Sequence, residues 1–213
     1  MTIPSSAVVA GFALGLAALW VSCDEGGTGA PAEPHGCVMD PACTRVMVAS
    51  HRGFHLALPE NSLAALRAAA GLGVDFVEID VRHTADDVLV LMHDSDVNRT
   101  TDGRGDIDTL LWEQVRGLTL KGAPEGVDDP EMRLVPTFGE ALELARELGI
   151  ALYVDQKTDR TDLVLTAVRA GPHSDIALIR AGVAPLAAPV AEGPLLCVLP
   201  AVQHAAGPEG ARP

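Results

Sequence analysis

The 213 residues of this chain are enough for one sizeable domain. Hydrophobic residues make up 48% of the sequence but aromatic residues only 3%, so aliphatic side chains must fill the core. The formal net charge of −14 argues against a general nucleic-acid partner, which needs a basic surface, but not against an anionic phosphate substrate, because a bound divalent cation can reverse the local field.

The first 23 residues are predicted to be an export signal. Residues 7–21 are almost continuously apolar, and this run is too short for a comfortable membrane span but typical of a signal-peptide core. The pattern leaves three alternatives: a lipoprotein signal that makes Cys23 the lipidated first residue, an ordinary secretory signal, or an uncleaved anchor. We therefore expect an exported protein of the periplasm or cell envelope, with membrane anchoring through this segment or a lipidated Cys23.

Residues 24–45 are predicted to be a flexible linker because Gly, Pro, Ala and acidic residues dominate them. Cys37 and Cys43 flank a short loop just before the first expected strand. In an oxidising compartment this pair is expected to form a disulfide. The competing interpretation, a zinc site, lacks a nearby second pair of ligands.

The domain proper is predicted to span residues 46–203 and to alternate strands with helices. Asn61 is a good N-cap for the first helix, and Thr137 and Gly149 are the expected start and stop of a later one. The apolar patterns give strands at residues 46–49, 74–81, 88–92, 150–154 and 176–179, with 195–199 as a candidate for one more, and helices at 62–71, 138–148 and 162–170.

Residues 95–133 interrupt this alternation with a polar, irregular stretch that contains five glycines. A loop of this length inside a compact domain is either a functional insertion or disordered, and we expect an insertion with a short helix at residues 110–118. The last residues, 204–213, are predicted to be a disordered tail.

Two carboxylates, Glu78 and Asp80, fall two residues apart in an apolar strand, so both point to the same face. A buried carboxylate pair without a cation would be costly, and hard oxygen ligands suit Mg²⁺ or Ca²⁺. Asp155, at the end of a later strand, would supply a third ligand. The pattern therefore favours a divalent-metal site, although a single acidic residue in so acidic a chain is more often a solvated surface charge.

Four further side chains at predicted strand ends could move protons or bind an anion. His51 and His93 are the candidate general acid and base, since imidazole takes or gives a proton near neutral pH. Arg52 and Lys157 are the candidate phosphate ligands, Arg through its forked donors and Lys as a point charge. For both cations the alternative is a salt bridge to the carboxylates of the site.

An ordered series of motifs resembles the glycerophosphodiester phosphodiesterase family. The resemblance covers roughly residues 46–157 and includes His51-Arg52-Gly53, Pro59-Glu60-Asn61, Glu78-Ile79-Asp80, His93-Asp94, Arg99-Thr100-Thr101, Val135-Pro136-Thr137 and Asp155-Gln156-Lys157. It implies a TIM-type (β/α) barrel, a divalent cation that Glu60 could also reach, and two histidines that flank the substrate phosphate. It also implies hydrolysis of a glycerophosphodiester to glycerol 3-phosphate and an alcohol. Asp155 stands where members of the family usually carry Glu.

About five strands are predicted where a complete barrel has eight, and the last motif strand of the family is absent from the sequence. The expected fold is therefore an α/β barrel that lacks its C-terminal strands. Two alternatives to the glycerophosphodiesterase function remain open. One is a phospholipase D-like enzyme that cleaves sphingomyelin or lysophospholipid, and the other is an inactive barrel that serves as an envelope binding protein.

Overall fold

The computed structural model describes residues 37–38, 42–171, 173, 176–181 and 198–200, all within one unit of the chain, residues 32–213. The predicted export signal, most of the predicted linker and the predicted tail lie outside the described residues. Among the described helices, none combines the length and the apolar character that crossing a membrane requires.

The described strands form a single mixed sheet in which all strands but one are parallel. The parallel strands follow one another across the sheet in chain order, β1-β2-β4-β5-β6, and β3 pairs antiparallel with the end of β2. This is the wall of a (β/α) barrel, so the predicted α/β class is confirmed. The strands are β1 (Ala49–Ser50), β2 (Phe76–His83), β3 (Leu89–Leu91), β4 (Ala151–Gln156), β5 (Ala177–Ala181) and β6 (Val198–Pro200).

Three of the helices cover one face of this sheet. Side chains of α1, α4 and α5 pack against Val77 and Ile79 of β2 and against Leu152 and Val154 of β4 in one apolar cluster. Two further helices in the described part of the chain, α2 and α3, belong to the irregular stretch after β3. The helices are α1 (Leu63–Gly71), α2 (Trp112–Val115), α3 (Pro130–Arg133), α4 (Phe138–Leu148) and α5 (Thr161–Ala170), and a 3-10 turn spans Ile107–Thr109.

The ends of α4 match the sequence prediction. The hydroxyl of Thr137 accepts from the backbone N–H of Glu140, and the Glu140 carboxylate accepts from the backbone N–H of Thr137, which makes a capping box. Gly149 ends the helix in the left-handed conformation at φ 66°. Local sequence determines both ends of this helix.

The start of α1 corrects the prediction. Its N-cap is Ser62, whose hydroxyl accepts from the backbone N–H of Ala65 at 3.1 Å, and not Asn61. Asn61 stands one residue earlier at φ 57°, and its side chain is directed to the polar edge of the sheet instead. A tertiary contact thus takes the residue that capping preference would have used.

The first strand is shorter than predicted, because only Ala49 and Ser50 pair with β2. Val46 and Val48, the apolar residues expected in this strand, are 88% and 55% exposed. A closed barrel places its last strand against the free edge of its first, but no described strand occupies that edge. The described sheet is therefore an incomplete barrel.

The residues just before β1 cover part of the sheet face that carries Phe76, opposite the helices. Val38 and Met47 pack against a small buried cluster of Phe76, Ala151 and Leu178. A disulfide between Cys37 and Cys43 closes the loop that carries Val38, with a Cα–Cα distance of 5.4 Å. This segment therefore shields apolar side chains that face the barrel interior.

We expect reduction of this disulfide to lower the melting temperature, because it frees a loop that buries inner-face side chains. Loop-closure entropy for so short a loop amounts to about 2 kcal/mol, or roughly 4–8 °C for a chain of this size. Thermal unfolding with and without reductant measures the effect. In the double variant Cys37→Ser, Cys43→Ser the reductant should change nothing, and an equal shift in both proteins would contradict the assignment.

The stretch between β3 and α4 builds a small core of its own. The buried side chains of this core are Met92, Val97, Ile107, Val115, Leu120 and Val135, together with Val90 of β3. Short bridges such as Thr101–Leu120 tie its turns together. The segment predicted as an insertion is thus an ordered layer beside the ends of β2 and β3, and the helix expected at residues 110–118 is confined to α2.

Candidate active site

Three carboxylates meet at the carboxyl end of the parallel strands. Glu78 and Asp80 project from the same face of β2, and Asp155 of β4 is the register partner of Asp80. One oxygen atom from each of the three lies within 4.8 Å of the other two. These residues are hereafter the three-carboxylate cluster, and its composition is the one that the strand-end pattern predicted.

The environment of the cluster favours a cation. Burial, and then the nearby charge of Asp80, raise the pKa of Glu78 to about 7. Asp80 is only 1% exposed, and its Oδ1 atom accepts no hydrogen bond within the described part of the chain. A buried carboxylate oxygen that accepts no hydrogen bond, beside two further carboxylates, is a suitable ligand set for Mg²⁺ or Ca²⁺. The residues present therefore fit a divalent cation.

The turn after β1 delivers the backbone and side chain of Arg52 to this cluster. Arg52 adopts φ 52°, and its backbone N–H donates to Glu78 Oε2 at 2.8 Å. Gly53 follows at φ 75°, where a Cβ atom would lie 2.7 Å from the backbone of Ala65 in α1. Only glycine fits between this turn and the helix, which explains the third position of the His-Arg-Gly motif.

The two predicted phosphate ligands contact the carboxylates of the site. Arg52 Nε lies 3.3 Å from Asp80 Oδ2, and this buried nitrogen donates no hydrogen bond to any described residue. Lys157 Nζ lies 2.8 Å from Asp155 Oδ2 and 3.5 Å from Asp80 Oδ1. Both cations therefore stand beside the three-carboxylate cluster, where they balance part of its negative charge.

Asn61 holds Asp80 in place through two hydrogen bonds. The side-chain amide donates to Asp80 Oδ2 at 3.0 Å, and the side-chain oxygen accepts from the backbone N–H of Asp80 at 3.1 Å. Capping preference assigned Asn61 to the helix start. Its place in the Pro-Glu-Asn motif, next to an acidic site residue, was the signal for a role in the site.

The two histidines follow different strands, and β3, which precedes His93, runs antiparallel to the others. His51 comes directly after β1, and desolvation followed by the Arg52 charge lowers its pKa. His93 comes shortly after β3, and its Nδ1 atom lies 2.7 Å from Asp94 Oδ1. Arg82 fixes the backbone beyond both β3 and β4, because it donates to the carbonyl oxygens of His93 at 2.9 Å and Lys157 at 3.3 Å.

Glu60 does not join the three-carboxylate cluster. Its Oε1 and Oε2 atoms accept hydrogen bonds from Arg99 at 2.7 and 2.8 Å, and Oε1 also accepts from Arg52 at 3.1 Å. The hydrogen bonds from Arg99 are the main reason that the pKa of Glu60 is lowered, although burial acts in the opposite direction. In this arrangement Glu60 is paired with the two arginines, and its contact with a cation stays a prediction.

Several charged residues of the site were not singled out from the sequence as site residues. Arg180 of β5 donates to Asp155 Oδ2 at 3.1 Å. It falls one residue beyond the predicted end of that strand, on the face that Asp155 shares with it through the strand pairing. Arg82, Asp94 and Arg99 carried no signal beyond their places in or near the motifs.

A cleft of about 390 Å³ lies beside Glu60 and Arg99. One wall is the loop of residues 55–60 and the other comes from residues 99–100 and 120–122 of the ordered layer after β3. Leu56, in the first wall, is 84% exposed. The cleft therefore offers both charged groups and an exposed apolar side chain.

Comparison with known proteins adds a family to this geometry. Residues 51–170 match the model of the glycerophosphoryl diester phosphodiesterase family. The chain is 41% identical over 113 residues to glycerophosphodiester phosphodiesterase 1 of Bos taurus, an alignment that covers 53% of this chain and 34% of that protein. It is 34% identical over 114 residues to the glycerophosphodiester phosphodiesterase of Caldanaerobacter subterraneus, covering 54% of this chain and 46% of that protein.

Solved structures give the same result. A glycerophosphodiester phosphodiesterase from Agrobacterium tumefaciens superposes with a TM-score of 0.55 at 30% identity, over 63% of this chain and 57% of that one. A phosphodiesterase from Oleispira antarctica, solved in complex with the product sn-glycerol-3-phosphate, gives a TM-score of 0.55 at 28% identity with the same coverage. The aligned region thus spans about a third to a half of the two curated relatives and just over half of these structures.

Proposed function

Because the chain belongs to the glycerophosphoryl diester phosphodiesterase family, we propose that it hydrolyses glycerophosphodiesters to glycerol 3-phosphate and an alcohol. The observation that carries the proposal is the three-carboxylate cluster, in which the buried Asp80 Oδ1 accepts no hydrogen bond from the described residues. Two histidines and two cations stand around it at the edge of the sheet where a barrel of this type builds its site.

Glu78, Asp80 and Asp155 would hold Mg²⁺ or Ca²⁺ through carboxylate oxygens. When bound, such a cation neutralises phosphate charge and polarises a phosphoryl oxygen. Arg52 and Lys157 would bind the remaining phosphate oxygens, Arg52 with its forked donors and Lys157 with its ammonium group. Asn61 keeps Asp80 oriented through its two hydrogen bonds.

The two histidines would move the protons of the reaction. His51, whose lowered pKa leaves the imidazole neutral at pH 7, would accept a proton from the attacking hydroxyl, supplied by water or by the substrate itself. His93 would donate a proton to the departing alcohol oxygen as the phosphorus–oxygen bond breaks. Each proton taken by one histidine and given by the other leaves the overall reaction balanced.

Export and membrane anchoring through the N-terminal segment or a lipidated Cys23 are also part of the proposal. The apolar run at residues 7–21 supports it. The disulfide between Cys37 and Cys43 supports it as well, because disulfides persist mainly in oxidising compartments.

The direct test is phosphodiesterase activity of the purified protein on glycerophosphocholine, with Mg²⁺ or Ca²⁺ and then with EDTA. We expect glycerol 3-phosphate and choline as products, and loss of turnover when the cation is removed. Circular dichroism establishes that the same preparation is folded. A folded protein with no turnover on glycerophosphocholine or glycerophosphoethanolamine would refute the proposal and leave its two alternatives, a phospholipase D-like enzyme and an inactive barrel that serves as an envelope binding protein.

A second candidate is a phospholipase D-like reaction on lysophospholipid or sphingomyelin. The exposed Leu56 and its neighbours in the cleft wall favour it, because they would accept an acyl chain that glycerophosphocholine lacks. Steady-state kinetics on lysophosphatidylcholine and glycerophosphocholine separate the two functions. A higher kcat/KM for the lysolipid, lowered by Leu56→Asn while turnover of glycerophosphocholine persists, would favour the second candidate.

A further inference from the structure

Four charged side chains form a continuous hydrogen-bonded series beside the three-carboxylate cluster. Arg99 Nε donates to Asp94 Oδ2 at 2.6 Å, and Arg99 Nη2 donates to Glu60 Oε1 at 2.7 Å. Glu60 Oε1 accepts in turn from Arg52 Nη1 at 3.1 Å. Asp94, at the other end, contacts the His93 ring. This series thus joins His93, the proposed proton donor, to Arg52, a proposed phosphate ligand.

Arg99 uses the full fork of its guanidinium in this arrangement. Nε and Nη2 reach the two oxygens of Asp94, while Nη1 and Nη2 reach the two oxygens of Glu60. Two bidentate contacts by one side chain need a planar group with donors on two edges, and a lysine ammonium cannot replace it. Shaping the turn after His93 would not require these two bidentate contacts, so they indicate a further role for Arg99.

The charge state of Asp94 determines the hydrogen bond to His93. The hydrogen bonds from Arg99 are the main reason that the pKa of Asp94 lies well below its usual range, and the His93 contact lowers it further. The carboxyl group is therefore ionised at neutral pH. An ionised carboxylate only accepts hydrogen bonds. His93 Nδ1 must therefore carry a proton, which leaves Nε2 as the ring nitrogen that is free to exchange a proton with the substrate.

We infer that Arg99 is a positioning residue, which clamps Asp94 and Glu60 so that His93 keeps its Nδ1 proton and Arg52 keeps its orientation. The catalytic part of this inference rests on the proposed function. The other charged groups around His93 do not replace the clamp. Arg82 of β2 binds the His93 carbonyl oxygen and not the ring, and His51 acts on it only through charge.

The test combines NMR titration of His93 with kinetics on glycerophosphocholine in three variants. Arg99→Gln removes the charge and the clamp, so the Asp94 charge is no longer balanced and the pKa of His93 should rise. Arg99→Lys keeps the charge but not the double contact, so the pKa should change less. Both variants should lose about 10- to 100-fold in kcat, with a smaller rise in KM. Arg104→Gln, at an exposed arginine of the same stretch, is the matched control.

The outcomes separate this inference from the proposed function. If the His93 pKa moves in Arg99→Gln but the parent protein shows no turnover, the clamp stands and the proposed function fails. If the His93 pKa and kcat of Arg99→Gln both equal those of Arg104→Gln, the inference is overturned. Should Arg99→Gln not fold, Arg99→Lys takes its place: a raised His93 pKa with reduced kcat supports the clamp, and values equal to those of Arg104→Gln refute it.

Discussion

Replacing His93 by alanine is expected to lower kcat for glycerophosphocholine by about 10²- to 10⁴-fold, the usual contribution of general acid–base catalysis. Without the imidazole, the leaving alcohol must depart as an alkoxide or take its proton from water. His51→Ala should cost a similar factor, since the attacking hydroxyl then keeps its proton. Initial rates at saturating substrate and Mg²⁺, with product glycerol 3-phosphate assayed enzymatically, measure both effects.

His83→Gln is the matched control for these variants. His83 is also a strand-end histidine, at the end of β2, but its Nδ1 atom contacts the Thr158 hydroxyl at 2.7 Å and no carboxylate of the site. Its replacement should leave kcat within the same order of magnitude. Equal losses in all three variants would show that a general structural disturbance, and not proton transfer, explains the result.

The site was predictable from the sequence where strand period and motif coincide. Glu78 and Asp80 alternate with apolar residues, which fixed both their common face and their burial. Asp155 followed from its place at the end of the next long apolar run. Parallel strands bring their carboxyl ends to one edge, and the three residues meet because β2 pairs directly with β4, with Asp80 opposite Asp155.

What could not be predicted depends on contacts between distant parts of the chain. Asn61 is a favourable helix cap by local preference, yet its two hydrogen bonds to Asp80 are made across 19 positions in sequence. Glu60 and Arg99, 39 positions apart, meet only because the layer after β3 folds over the first turn. The shortness of β1 depends on which strand lies at its free edge, which no local pattern encodes.

Without a divalent cation, the melting temperature is expected to fall as pH rises from 4.5 to 7 because of Glu78. Its pKa is raised in the folded protein from 4.5 to about 7, chiefly by burial. A group whose pKa is higher in the folded protein than in the unfolded protein stabilises the fold at pH values below its unfolded-state pKa. This stability is lost as the pH rises through its folded-state pKa. The loss amounts to about 3 kcal/mol, or roughly 6–12 °C. Thermal unfolding in EDTA across this range measures it.

The variant Glu78→Gln isolates this effect, because the amide resembles the carboxyl in size but does not titrate. His51, whose pKa is lowered, changes stability in the opposite direction within the same range, so the difference between the parent protein and the variant is the relevant quantity.

Mg²⁺ or Ca²⁺ needs the ionised carboxylate, so it should raise the melting temperature of the parent protein more at pH 8 than at pH 5 and should have little effect on the variant. A parent protein and variant with parallel pH profiles in EDTA would show that Glu78 is already ionised at pH 5. The three-carboxylate cluster would then be held together by Arg52, Lys157 and Arg180 alone, without a destabilised carboxylate for a cation to relieve.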